Sequence, residues 1–188
     1  MSNELLWYLS RATGIASIVL LTAVVVLGVV TAGRRDPRAE RATVVMALHR
    51  WLSLGMLSFL LLHIGTAILE TYVAIDVISL LVPFTSDYAT VGVGLGTLAF
   101  DILLAIIATS MLRHRLPERV WRLVHWGAYA MWPLGLIHGI MLATSDQPLL
   151  AATTIASGGV GAAAIAWRVT SSYADRDRRR AVLAEQWS

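Results

Sequence analysis

Two apolar stretches decide the fold of this chain, LHRWLSLGMLSFLLLHIG at 48–65 and VHWGAYAMWPLGLIHG at 124–139. Each is almost free of charged residues and carries a histidine near both of its ends. Apolar stretches of this kind are typical of helices that cross a membrane, and an ionisable side chain inside such a helix usually marks a functional site. The two stretches therefore predict membrane helices that share a site.

The remaining sequence has the composition of a membrane protein. Of its 188 residues, 57% are hydrophobic and 14% are charged, and the mean hydropathy is +0.68. Four uncharged runs approach or exceed the ~20 residues that span a hydrocarbon core, and a fifth is interrupted only by Asp101. We therefore predict an all-α integral membrane bundle with five transmembrane helices, at about 6–32, 43–70, 88–112, 120–144 and 149–170.

The arginines predict the orientation of these helices. All fifteen basic residues are arginine, and the five-helix order places fourteen of them on one side. Because basic residues are retained in the cytoplasm, we expect a multi-pass plasma-membrane protein with its N-terminus outside and its C-terminus in the cytoplasm. We assign residues 1–170 to the membrane domain and residues 171–188 to a charged cytoplasmic tail. The excess of basic residues is then explained by the orientation of the protein in the lipid bilayer, and no nucleic-acid partner is expected.

Shorter features complete the predicted organisation. Residues 71–87 are apolar but too short to span, and with Pro83 they predict a short interfacial helix and turn on the outer face. The first hydrophobic run lacks a basic leader and is expected to remain in the mature protein. The absence of cysteine excludes disulfides and thiolate-held metal sites.

Four histidines fall at two matched depths. His49 and His125 lie near the predicted cytoplasmic ends of the second and fourth helices, and His63 and His138 lie near their outer ends. The fourteen-residue spacing on the second helix puts both rings on one face, roughly 21 Å apart. The thirteen-residue spacing on the fourth helix does not, so we expect that helix to be irregular near Pro133.

Each depth thus presents one imidazole from each of two parallel helices. Two neutral nitrogens suit a heme with bis-histidine axial ligation, whereas zinc requires a third or fourth ligand. We predict two b-type hemes, an inner one held by His49 and His125 and an outer one held by His63 and His138. The alternative is four separate histidines that form hydrogen bonds between helices.

Three further residues are candidates for the surroundings of the cofactors. Arg11 is the only arginine on the outer side, where it either meets a heme propionate or extends to the interface from a helix end. Arg50 is a similar candidate at the inner side, or one more cytoplasmic positive charge. Trp132 lies between the depths of the two hemes, where it either packs against them and relays electrons or belongs to the core.

Small and acidic residues inside the spans are less specific. Asp101 either stays protonated, pairs with a buried donor or belongs to a proton path. Three glycines within two residues of a histidine are expected to give a porphyrin room, namely Gly65, Gly127 and Gly139.

Several motifs along the chain resemble one family. They are WYLSRATG at 7–14, LHRWLS at 48–53, LLHIGT at 61–66, LLVPFTSDY at 80–88, the segment that ends at Asp101, and the stretch 124–139. They resemble the ferric reductase-like transmembrane domain, which is shared by NADPH oxidases, metalloreductases and the heme subunit of the periplasmic methionine sulfoxide reductase system. The similarity is greatest to the short actinobacterial members.

This resemblance implies an oxidoreductase or the heme subunit of one. Electrons would pass from a cytoplasmic flavoprotein reductase or membrane quinol to an extracytoplasmic metal chelate, oxygen, flavoprotein or periplasmic reductase. Because no flavin or NADPH domain follows the last predicted helix, we expect an external donor, through which a flavin or quinone enters. The alternatives are a single-heme subunit with a flavin or quinone site, and a non-redox transporter or scaffold.

Overall fold

The computed structural model describes the backbone of residues 2–31, 39–73, 75–144 and 147–186, and their side chains except those of 31, 39–42 and 172–186. Within these ranges the chain forms six α-helices and no strand, as predicted for an all-α fold. The helices are α1 (Asn3–Thr31), α2 (Ala39–Leu69), α3 (Thr90–Met111), α4 (Glu118–His125), α5 (Ala128–Met141) and α6 (Pro148–Gln186).

Four of the described helices are long and apolar enough to cross a membrane. They cover Asn3–Val30, Thr43–Leu69, Thr90–Met111 and Pro148–Ser171, which are the first, second, third and fifth predicted spans. The fourth predicted span is divided between α4, with 8 residues, and α5, with 14 residues. Each is shorter than the ~20 residues of a crossing. The chain is therefore a helical membrane protein with four continuous spans among its described residues.

The helical run from Glu118 to Met141 is interrupted at Trp126 and Gly127. Here the N–H groups of Gly127 and Ala130 each donate to the carbonyl three residues earlier, at 2.9 and 3.0 Å. A tighter turn rotates the chain by about 120° per residue instead of about 100°. This rotation corrects part of the mismatch of the thirteen-residue histidine spacing. The irregularity was predicted near Pro133, but it lies six residues earlier. Pro133 itself falls within the continuous helix α5.

Helix α1 forms the centre of the bundle. It packs against α2 and α6 and also contacts α5, which in turn packs against α3 and α6. The hydroxyls of Thr13, Ser17 and Thr22 donate to carbonyls four residues earlier in α1, so these buried polar groups are satisfied within their own helix. Between the helices lies a core of Ile18, Leu21, Val25, Val29, Met56, Ala99, Leu103, Met131, Trp132 and Leu136.

Helix α2 stands apart from α3, α4 and α5. In the described part of the chain it packs against α1 and has no extensive backbone contact with those three helices. Its membrane-spanning part is the least buried of the four spans. Protein interiors are normally close-packed, but here a slot remains between α2 on one side and α3, α4 and α5 on the other. The slot separates the two helical stretches that carry the histidines.

The connection between α2 and α3 contains a short 3-10 helix, Val77–Leu80. Phe84, whose φ is 65°, packs over α3 so closely that a Cβ at Gly94 would lie 2.2 Å from its ring. Apolar side chains of this connection, including Ile78 and Leu81, are exposed. This arrangement agrees with the predicted short helix and turn, although the helix is a single 3-10 turn. Its position at the outer interface stays a prediction.

The predicted tail continues the last helix. The backbone of α6 remains helical to Gln186, well beyond the expected end of the membrane domain at residue 170. Arg34, Arg35 and Arg38, on which the predicted orientation partly depends, lie outside the described residues, as do residues 187–188.

Candidate functional site

Two histidine rings meet inside the bundle where α2 faces α5. We call His63 and His138 the outer pair, after their predicted orientation. Their ring centroids are 6.2 Å apart, with an angle of 82° between the planes. Both rings line a mainly apolar cavity, the outer cavity, to which α1, α2, α3, α5 and α6 contribute. A mainly apolar space with a few convergent polar groups has the form of a cofactor site.

Each ring of the outer pair is oriented by a helix other than its own. Nδ1 of His63 donates to the carbonyl of Ser10 in α1, and Nδ1 of His138 donates to the carbonyl of Gly92 in α3, both at 2.8 Å. Because a carbonyl oxygen only accepts, Nδ1 carries the proton and Nε2 keeps a free lone pair. A hydrogen bond of this kind is how proteins fix the tautomer of a metal-binding histidine.

A glycine four residues after each acceptor gives the ring its room. A Cβ at Gly14 would lie 3.0 Å from Nδ1 of His63, and one at Gly96 would lie 2.6 Å from Nδ1 of His138. A helical carbonyl faces the N–H four residues later, so a glycine there leaves the oxygen open to a second donor. Helices α1 and α3 thus present the same feature, a carbonyl acceptor followed by a glycine at i+4, which we call the carbonyl–glycine notch.

Two charged side chains also line the outer cavity, Arg11 and Glu70. The Arg11 guanidinium donates to the carbonyl of Leu142 at 2.7 Å and lies 5.3 Å from the centre of the Trp7 ring. Glu70 is only 7% exposed, and its buried Oε2 has no hydrogen-bond partner among the described residues. Burial raises the pKa of Glu70, and the nearby Arg11 cation opposes this shift. Arg11 was predicted for this site, whereas Glu70 was missed.

The second pair of rings, the inner pair, consists of His49 in α2 and His125 in α4. Their centroids are 6.4 Å apart, with an angle of 50° between the planes. Neither ring lines the outer cavity. Nδ1 of His125 is buried without a hydrogen-bond partner in the described part of the chain. Instead, the indole of Trp121 stacks on His125, with centroids 5.1 Å apart and an angle of 26°.

The other predicted residues lie around these pairs in different ways. Arg50 is exposed beside His49. Trp132 belongs to the core, where its Nε1 donates to the hydroxyl of Thr22 at 3.0 Å. Asp101 is half-buried in α3, and the loop residue His114 is exposed. Of the three residues predicted around the cofactors, Arg11 alone lines the outer cavity.

The glycines singled out from the sequence do not contact the histidine rings. A Cβ at Gly65 would meet nothing within 4 Å, and one at Gly139 would contact Thr154 instead. The glycines that do contact rings, Gly14 and Gly96, belong to other helices than the histidines. Proximity along the chain was therefore a poor guide, and no signal in the sequence links these glycines to their partners.

Each pair offers two nitrogens to a metal. Among the described residues, no three histidine or acidic side chains gather as metal ligands. A bond of about 2 Å from nitrogen to metal, with about 1.2 Å from nitrogen to ring centre, separates two imidazoles on opposite sides of one metal by about 6.4 Å. The observed 6.2 and 6.4 Å agree with this value. A heme supplies its other four ligands from the porphyrin, so these residues fit its axial positions.

The comparison with known families agrees with this geometry. A family model described as ferric reductase like transmembrane component matches residues 13–136. The matched range contains His49, His63 and His125, and His138 lies two residues beyond it. No curated protein and no solved structure matches the chain.

Proposed function

The chain belongs to the ferric reductase like transmembrane family, and from this premise we propose that it is a diheme b-type protein that transfers electrons across the membrane. Membership itself indicates a transmembrane electron-transfer or reductase role. One observation carries the finer proposal. Two pairs of imidazoles with nearly the same separation lie at different depths along the same two helical stretches.

The proposal includes five membrane crossings. Residues 118–141, from the start of α4 to the end of α5, number 24, and at 1.5 Å per residue they extend about 36 Å. This length suffices for the ~30 Å hydrocarbon core. We propose that α4 and α5 cross together as the fourth span. The N-terminus then lies outside and the C-terminus in the cytoplasm of a plasma membrane, and α2 runs parallel to the fourth span.

The four histidines are the proposed axial ligands. His49 and His125 would hold the inner heme, and His63 and His138 the outer heme. When bound, heme iron changes between the ferric and ferrous states and so carries one electron at a time. The chain contributes the nitrogen lone pairs, their orientation and an apolar lining that excludes water.

Charged and aromatic residues have supporting roles in this proposal. Arg11 places a positive charge on the outer cavity, where a heme propionate would be neutralised. Arg50 is the corresponding candidate beside the inner pair. Trp132, which is held by its hydrogen bond to Thr22, fills the core beside the outer cavity. These roles concern binding and packing, and none of these residues donates a ligand to iron.

The donor and the acceptor are proposed from the family and from the predicted orientation. A cytoplasmic flavoprotein reductase or a membrane quinol would supply electrons, and an extracytoplasmic metal chelate, flavoprotein or periplasmic reductase would receive them. Exposed arginines at the predicted inner side, among them Arg115 and Arg119, favour an acidic donor. Charge complementarity of this kind mainly raises the rate of encounter.

A single-heme protein is the second candidate. The outer pair lines a cavity and has two anchoring hydrogen bonds, whereas the inner pair does not line that cavity, and the buried Nδ1 of His125 has no partner among the described residues. A protein with only the outer heme would leave the inner region for a flavin or quinone. Counting the hemes per chain separates these two candidates.

Electron transfer across a vesicle membrane tests the proposed function. The purified protein is inserted into liposomes that contain ferricyanide, and dithionite is added outside. We expect the protein to accelerate bleaching of the enclosed ferricyanide well above that in protein-free vesicles. A variant that lacks one ligand of each pair, H49A with H63A, serves as the control and should be inactive. Bleaching no faster than in protein-free vesicles, by a protein that contains both hemes, would contradict the proposal.

A further inference from the structure

One ring of the inner pair, His125, lacks the feature that orients the outer pair, whereas His49 has a backbone hydrogen bond with Val24 of α1. The rings of His63 and His138 each donate to a carbonyl of a neighbouring helix. Nδ1 of His125 is buried and has no such acceptor among the described residues. A metal-binding histidine ordinarily needs a partner that fixes its ring, so another contact must orient His125.

The aromatic neighbour of His125 supplies this contact from within the same helix. Trp121 precedes His125 by four residues in α4, which places the two side chains one above the other on one face. Their planes are within 26° of parallel, and their centroids are 5.1 Å apart. A stack of this kind restricts rotation of the imidazole out of its plane.

A positive charge also lies over the indole of Trp121. The guanidinium carbon of Arg113, in the loop before α4, lies 4.3 Å from the centre of the Trp121 ring. This distance is within the range of a cation–π contact. The indole of Trp121 therefore contacts both His125 and Arg113, and the three groups form one cluster at the predicted cytoplasmic end of the slot.

We propose that Trp121 is the positioning residue of His125, and that its stack on this ring, supported by the cation–π contact with Arg113, takes the role that a carbonyl–glycine notch has at each ring of the outer pair. The inference rests on the proposed heme ligation. Trp121 is neither an electron carrier nor a substrate contact in this proposal. Trp121 fixes the orientation of the His125 ring, and this orientation determines how strongly His125 would bind the heme iron.

Low-temperature electron paramagnetic resonance of the oxidised full-length protein tests this role. Each bis-histidine heme gives a low-spin signal whose largest g value depends on the orientation of its axial rings, and the signal lost in H49A identifies the inner heme. We expect W121L to shift the inner signal and to weaken retention of the inner heme about tenfold, in the range for residues that orient metal ligands. The outer signal should stay unchanged, and W121F should restore the wild-type value.

Trp126 offers a matched control, because it adjoins His125 in sequence but is 61% exposed. W126L should leave both signals unchanged. An inner signal in W121L at the wild-type position, with both hemes retained, would overturn the inference while leaving the proposed function intact. A wild-type protein without any inner signal would overturn both.

A second variant covers the case in which W121L loses both hemes. R113Q removes the cation that lies over the indole and leaves the side chains of Trp121 and His125 in place. A shifted inner signal beside an unchanged outer signal would then support the stack. Two unchanged signals in R113Q would overturn it.

Discussion

The two ends of the bundle bring their histidines to nearly the same separation, 6.2 Å in the outer pair and 6.4 Å in the inner pair, by different means. In the outer pair, both rings donate to backbone carbonyls of neighbouring helices. In the inner pair, His125 stacks on a side chain of its own helix, and its Nδ1 has no partner among the described residues. His49, the other inner ring, has a backbone hydrogen bond with Val24 of α1. One spacing thus arises from two backbone contacts at the outer end, and from one backbone contact and one side-chain stack at the inner end.

This difference shows which end depends on the packing of the whole bundle. A carbonyl–glycine notch exists only when α1 or α3 lies at the correct depth and rotation against the ring, so the outer pair requires correct helix packing. The Trp121–His125 stack forms within α4 and requires much less of the fold. We therefore expect changes in helix packing to disturb the outer site first, and changes near the α3–α4 loop to disturb the inner site.

Replacement of single histidines should have the largest effect. H63A and H138A should each remove the outer heme, and H49A and H125A should each remove the inner one, because a ligand pair does not retain its iron with one partner missing. The pyridine hemochrome assay should fall from two hemes per chain to one, and the two variants of a pair should have the same residual spectrum.

The exposed loop residue His114 is the control for these variants. H114A should retain both hemes. Matching residual spectra from H49A and H138A, in place of H49A and H125A, would show that the pairing across the helices is wrong.

The notch in α3 offers a smaller and more selective change. A Cβ at Gly96 would lie 2.6 Å from Nδ1 of His138 and push the ring away from the Gly92 carbonyl. G96A should therefore weaken retention of the outer heme by about 10- to 100-fold and spare the inner heme. Heme retention during gel filtration, followed by absorbance, measures this effect.

Gly65 provides the matched glycine, since a Cβ there would meet nothing within 4 Å. G65A should behave as the wild type although it lies two residues from His63. Equal heme loss in G65A and G96A would remove the argument for the notch.

A third difference should appear in the reduction potentials. A hydrogen bond from Nδ1 to an acceptor makes the ligand more basic and favours ferric iron. Both outer rings have such a bond, whereas only His49 of the inner pair has one. The outer heme should therefore have the lower midpoint potential, by an amount on the order of tens of millivolts, where 59 mV is a tenfold change for one electron. An optical redox titration of the wild type, assigned with H49A and H63A, measures the order. A lower potential at the inner heme would contradict this reading of the hydrogen bonds.

The smallest expected effect concerns Glu70 at the outer cavity. Burial raises its pKa, so the folded state favours the protonated carboxyl and loses that contribution to stability as the pH rises through the folded pKa. E70Q cannot ionise. Its melting temperature should therefore exceed that of the wild type by more at about pH 8 than at about pH 5, both above the usual Glu pKa of about 4.3. The same difference in melting temperature between E70Q and the wild type at both pH values would contradict a raised pKa of Glu70.

Periodicity and charge in the sequence predicted the features that repeat along the chain. Three of the four continuous spans contain an uncharged run, and the other, Thr90–Met111, is the run that Asp101 interrupts. The family resemblance is confirmed by the matching family model. The depth argument for His49, His63, His125 and His138 agrees with the ring separations. These features were accessible because residue spacing within a helix fixes depth and face.

Contacts between helices were not accessible in the same way. Nothing in the sequence near His63 or His138 points to Gly14 or Gly96, because the notch depends on how two distant helices pack. The turn at Trp126 and Gly127 was assigned instead to Pro133, since proline carries the stronger local signal. Glu70 marked a helix end in the sequence, and only the packed bundle shows that it is buried at the outer cavity.

The heme content of the wild-type protein tests the central claim most directly. The account predicts two hemes b per chain by pyridine hemochrome, with a Soret band that shifts when dithionite is added. One heme per chain would support the single-heme candidate and contradict the inner ligand pair. A purified, folded protein that carries no heme, even after expression with excess heme, would contradict the proposed function as a whole.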